Sequence, residues 1–170
     1  MKKLNIGCGT DYRQGFINID GSDTLDQVDT IIDLSRESLL DHFAAGEIEL
    51  IIANDIVEHL FHWEAVRLLK EFYVLLADGY TARIRVPDVE SIIASTQISI
   101  TRKITMLYGG QDVPQGINAK QNESRKKHPQ FFCHKYGWTI ETMRKELKHI
   151  GFSLVTCKRA KTDFIAYAIK

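Results

Sequence analysis

Leu4-Asn5-Ile6-Gly7-Cys8-Gly9 is a short apolar run that ends in a pair of glycines, and its reading decides the fold. The residues up to Ile6 predict a strand, and glycines directly after it let a ligand approach the main chain where a side chain would block it. A plain tight turn would use the same residues, so the motif takes its meaning from the rest of the chain. Ile- and Val-rich segments recur at residues 17–20, 28–33, 48–54, 80–86, 152–159 and 164–169. Together with residues 4–7 they make seven expected strands. Longer amphipathic stretches lie between them, the pattern of βαβ units around a mostly parallel sheet with helices on both faces, and the fold class is therefore α/β.

The clearest helix covers residues 63–77, where Ala65, Leu68, Leu69, Phe72, Leu75 and Leu76 recur at helical spacing and Glu64, Arg67, Lys70 and Glu71 take the other face. Asp78-Gly79 is expected to stop it. Two arginines, Arg83 and Arg85, fall on one face of the next strand, which marks a strand end or a pairing with acids. Asp88 is placed to cap a helix through Ile92 and Ile93, and Thr139 to cap a last one that closes at Gly151. Residues 109–136 begin with a polar stretch that carries Pro114 and Pro129 without a clear period, and they are expected to be a lid or substrate loop hinged at Gly109-Gly110-Gln111.

Between Gly9 and Ile17 there are only seven residues, too few for the helical crossover of about a dozen that parallel strands usually need. The first crossover helix is therefore expected to be reduced or missing. With it would go the helix N-terminus that often faces a bound anion.

Asp20 ends the second expected strand, Asp33 the third, and Asn54-Asp55-Ile56 follows the fourth. Ligands of open α/β sheets bind at the carboxyl ends of strands, and acids gathered there favour a cationic ligand such as a sulfonium. The charge distribution agrees. Residues 1–60 hold 12 acidic and 4 basic side chains, whereas residues 101–170 hold 5 and 14, although the whole chain is formally neutral. The basic half suits an anionic substrate or pairing with the acidic half.

At this point the chain resembles the class I S-adenosylmethionine-dependent methyltransferases, in particular small single-domain members linked to cell-surface glycan biosynthesis. The resemblance spans most of the chain. It rests on Leu-Asn-Ile-Gly-Cys-Gly at 4–9, Gly-Phe-Ile-Asn-Ile-Asp at 15–20, Asp33-Leu34, Glu58-His59-Leu60 and Arg85-Val86-Pro87-Asp88. It implies a Rossmann-like fold in one domain over residues 1–170, S-adenosylmethionine as cofactor, and methylation of a small molecule, with the oxygen of a sugar or sugar-like compound as acceptor. By the same resemblance Asn5, Gly7, Cys8 and Gly9 would hold the methionine part, Asp20 the ribose, Asp33 and Leu34 the adenine, and Asn54, Asp55 and Ile56 the floor beneath the methyl group. Two departures stand out: the usual acid two residues before the first glycine is Asn5, and the usual Lys-Pro-Gly-Gly turn is Ala77-Asp78-Gly79-Tyr80.

A hydroxyl nucleophile also calls for a base, and His59 and His134 are the candidates by residue type. His59 and His62 stand three apart, but no third ligand accompanies them and no metal is expected. Cys8 suits the turn as a small packing residue rather than as a nucleophile. Arg125-Lys126-Lys127-His128 could hold a phosphate of a nucleotide sugar or form a solvated face.

Two other functions compete: a binding module that keeps the fold without the chemistry, and a nicotinamide-dependent oxidoreductase. The second is disfavoured because no third glycine opens a helix after Gly9. Zero net charge and a lone basic run without interleaved aromatics argue against nucleic-acid binding. No apolar stretch reaches the roughly 18 residues of a membrane span, and the lysines at the start are not followed by an unbroken apolar region. Three cysteines without Cys-x-x-Cys spacing fit a reducing compartment, so a cytoplasmic protein, monomer or homodimer, is expected.

Overall fold

The Ile and Val runs pair into one sheet. The computed structural model describes residues 1–111 and 119–170, and these described residues contain seven strands. These are β1 (Lys2–Ile6), β2 (Ile17–Asp20), β3 (Thr30–Ile31), β4 (Ile48–Asn54), β5 (Leu76–Pro87), β6 (Leu154–Ala160) and β7 (Asp163–Ile169). Their order is β3-β2-β1-β4-β5-β7-β6, parallel throughout except that β7 runs antiparallel to β5 and β6. The helices are α1 (His62–Leu75), α2 (Val89–Ala94), α3 (Ile100–Tyr108), α4 (Ala119–Lys127) and α5 (Ile140–Ile150).

α1 buries Ala65, Leu68, Leu69, Phe72 and Leu75, and α5 buries Met143 and Leu147. Both stripes join Ala82, Ile84 and Val86 of β5 and Phe164, Ala166 and Ala168 of β7 in one core. The opposite sheet face bears Thr81, Arg83 and Arg85 of β5 with Ile165, Tyr167 and Ile169 of β7, all at least partly exposed. Right-handed crossovers from β1 to β2 and from β2 to β3 would cover that face with helices. Among the described residues neither connection contains one, and the helices that join this core are α1 and α5.

The first connection is indeed a run of turns, and Asn18 holds it together. Its side-chain oxygen accepts hydrogen bonds from Asn5 Nδ2 and the Arg13 amide, both at 2.9 Å, and its Nδ2 donates to the Arg13 carbonyl and to Asp29. A buried amide with donors and acceptors on both arms thus replaces the hydrogen bonds a helix would have supplied.

Candidate functional site

Gly7 and Gly9 follow β1 with φ of +64° and +53°. A Cβ on Gly7 would lie 2.7 Å from Ile56 Cβ, so only glycine fits there, whereas a Cβ on Gly9 would meet open space. The Gly9 amide donates to Asp20 Oδ2 at 2.8 Å, and the Ser22 amide to Oδ1 at 2.9 Å. Burial raises the Asp20 carboxyl above its ordinary value, against the pull of these backbone donors. Asn5 is also explained by its partners. Its Nδ2 donates to the Asp11 carbonyl at 2.7 Å and to Asn18 at 2.9 Å, two acceptors that a carboxylate at this position would repel.

At the end of β3, Asp33 Oδ1 accepts from the amide and hydroxyl of Ser35 at 3.0 and 2.6 Å. The Leu34 carbonyl accepts from Arg67 at 2.5 Å, and Arg67 also pairs at 2.8 Å with Glu71, whose other oxygen takes the Leu39 amide. Glu71 is 4% exposed. It therefore does not lie on the solvent face of α1, as periodicity suggested; with Arg67 it ties α1 to the 32–39 segment. Their (i, i+4) spacing was the visible signal.

At the end of β4, Asn54 accepts from Arg83, and Asp55, with φ of +53°, pairs with Arg85 through a 2.9 Å Nε–Oδ1 bond. The two strand arginines are thus partnered on the open face. A 3-10 turn, Val57–His59, follows. His59 Nδ1 lies 3.1 Å from the Cys133 carbonyl, and because a carbonyl only accepts, Nδ1 carries the hydrogen and Nε2 the lone pair. The His134 ring meets His59 edge-on, 4.7 Å between centroids. Burial, and then His134, push His59 down to about 3, and burial also lowers His134. Both imidazoles are neutral at pH 7, and His59 is a weak proton acceptor.

His62 does not share a face with His59. The extended Leu60 and Phe61 between the 3-10 turn and α1 send its ring 4.5 Å from Tyr136 instead.

All ten residues expected to hold the cofactor, together with His59 and His134, line one cavity of about 550 Å³ at the carboxyl ends of the strands. Its far wall comes from Ser124 and Arg125 of α4 and from Phe131 and Phe132. α4 lies in a stretch expected to lack regular structure: it is polar on all sides, and polar contacts seat it. Ser124 donates to Ser22 at 2.7 Å, and Lys127 and His128 meet Asp23 at 2.5 and 3.0 Å. Two members of the basic run are thereby committed to an acid, while Arg125 lies over Phe132, 4.4 Å from the ring centroid. Of the expected hinge, Gly109 is bridged to Cys133 and has φ of +79°. Pro114 lies outside the described residues. No described helix is long and apolar enough to cross a membrane, and Cys8, Cys133 and Cys157 are free thiols.

No family model and no curated protein sequence matches the chain. Solved structures do. An S-adenosylmethionine-dependent methyltransferase from Archaeoglobus fulgidus superposes with a TM-score of 0.64 at 15% identity, over 99% of this chain and 86% of that one. The chain has a methyltransferase fold. One from Mesorhizobium loti gives 0.63 at 11% identity, over 99% and 90% of the two chains. The 1,6-didemethyltoxoflavin-N1-methyltransferase of Burkholderia thailandensis, solved with its substrate and S-adenosylhomocysteine, gives 0.58 at 15%, over 99% and 70%.

Proposed function

We propose that the protein is an S-adenosylmethionine-dependent methyltransferase of a small molecule, with the oxygen of a sugar or sugar-like compound as the acceptor. The observation that carries this reading is the meeting of four strand ends, from Gly7–Gly9, Asp20, Asp33–Leu34 and Asn54–Ile56, in one cavity of about 550 Å³. That volume is ordinary for a small-molecule site. Asp20 suits ribose hydroxyls, and the acidic side of the cavity suits a sulfonium. Arg125 and Lys135 also line it, and Arg125 Nε is buried without a hydrogen-bond partner, which favours an anionic acceptor. Residues 109–136 would then act as the lid.

Methyl transfer from a sulfonium is an in-line displacement whose leaving group becomes neutral, so holding two reactants in line supplies most of the rate. His59 and His134 are the groups proposed to meet the acceptor hydroxyl. A binding module without turnover is the second reading, favoured by the weak basicity of His59.

Incubation with methyl-labelled cofactor and a panel of neutral and anionic glycosides tests this. Label should enter an acceptor oxygen. Tight cofactor binding with no transfer to any acceptor would favour the binding module.

A further inference from the structure

We infer that Glu58, His59 and His134 form a divalent transition-metal site at the wall that His59 and His134 give to the cavity, with Glu58 buried behind it. This extends the methyltransferase reading by giving the acceptor oxygen an activating group, and it rests on that reading for its catalytic purpose.

One ligand atom from each of the three side chains lies within 4.8 Å of the other two. A metal bound tetrahedrally at about 2.1 Å would bring them to roughly 3.4 Å apart, a closure that side-chain rotation can supply. Independently, Glu58 is 2% exposed and neither of its carboxyl oxygens has a hydrogen-bond partner. A buried carboxyl with two orphaned oxygens is costly unless something binds it. A void of about 10 Å³ behind it, shared with the unpartnered Trp138 indole, has room for one water at most.

His59 is prepared as a ligand. Its Nδ1 hydrogen bond to the Cys133 carbonyl fixes the tautomer and leaves the lone pair on Nε2, the outer-shell arrangement usual for metal-bound histidine. Two imidazoles and one carboxylate suit zinc or iron rather than magnesium, and three protein ligands leave a position open to a substrate oxygen.

Metal binding would release the Glu58 proton to solvent. A coordinated acceptor hydroxyl would likewise lose its proton to solvent; its oxygen then bonds to the methyl carbon as the carbon–sulfur bond breaks and the electron pair stays on sulfur. A base as weak as His59 would not be needed.

The test is calorimetric titration of chelator-treated protein with Zn²⁺, and optical titration with Co²⁺, for wild type, Glu58→Gln, His134→Ala and the control His62→Ala. Thermal melts check folding, and S-adenosylhomocysteine affinity is measured on each. One metal per chain is expected, weakened about 10-fold or more by Glu58→Gln and by His134→Ala and unchanged by His62→Ala. Metal bound equally by all four folded proteins, or no binding below millimolar, overturns the site. Metal binding of the expected pattern without S-adenosylhomocysteine binding upholds the site and overturns the methyltransferase reading; the reverse overturns the site alone.

Discussion

Gly7 and Gly9 have similar backbone conformations but different surroundings, so alanine at each separates two effects. Both pay the left-handed penalty of a non-glycine residue, about 1 kcal/mol. At Gly7 the new methyl would also sit 2.7 Å from Cβ and Cγ1 of Ile56, and overpacking of this kind costs about 2 kcal/mol more. At Gly9 it meets nothing within 4 Å and stands at the wall of the cavity. The stability losses should therefore be about 3 kcal/mol for Gly7→Ala and about 1 kcal/mol for Gly9→Ala. With a urea slope of about 2 kcal/mol per molar, the two midpoints would differ by about 1 M. Ligand affinity should rank the other way for the stability lost: Gly9→Ala, though nearly as stable as wild type, should bind S-adenosylhomocysteine at least about 10-fold more weakly, or about 1.4 kcal/mol. Urea melts followed by fluorescence, with calorimetry on the folded variants, read both quantities. Equal stability losses, or a Gly9→Ala protein that binds like wild type, would refute the contact with Ile56 or the place of the ligand.

Arg67→Ala leaves the buried Glu71 without its cation and the Leu34 carbonyl without its donor. It should cost about 2 kcal/mol, less than a fully buried pair because the Arg67 side chain is 36% exposed, and a denaturant melt checks this. The Cys8 thiol, pushed up to about 12 by burial and then by Asp20, stays protonated at pH 8, with a thiolate fraction about a thousandfold below that of a thiol at 9.0. Peptide mapping after brief alkylation of the native protein should find Cys8 labelled last, and its labelling rate should climb with pH for as long as the fold holds. Early labelling of Cys8 would contradict its burial.

The strand pattern was legible because Ile and Val runs separated by glycines and acids report a parallel sheet locally, and the seven residues between Gly9 and Ile17 foretold the missing helix. What stayed hidden depends on distant partners. The end of α1 was expected near Asp78-Gly79, yet β5 begins at Leu76. Lys170, at the far end of the chain, donates to the Leu76 carbonyl at 2.8 Å, and Gly79 bonds the Lys170 carbonyl, so a pairing across 94 residues ends the helix early. β3 is only Thr30–Ile31, and Asp29 just before it gives its carboxylate to the Asn18 amide. α4 has no apolar stripe to betray it. In the site, strand ends could be read in order, so Asp20, Asp33 and Asn54 were placed together and do line one cavity, while Asn18, Glu71 and Glu58 were not given roles. Each of these is a buried polar residue, and burial of polar groups is a property of the fold that hydrophobic periodicity does not report.

The central claim is that the glycine turn and the three strand ends beside it form one cofactor site. Calorimetric titration with S-adenosylhomocysteine, on wild type and on Asp20→Ala, tests it most directly. One site per chain is predicted, weakened about 10-fold or more in Asp20→Ala, where the ribose acceptor is lost. No binding by folded wild-type protein at millimolar ligand, or equal affinity in the two proteins, would contradict it.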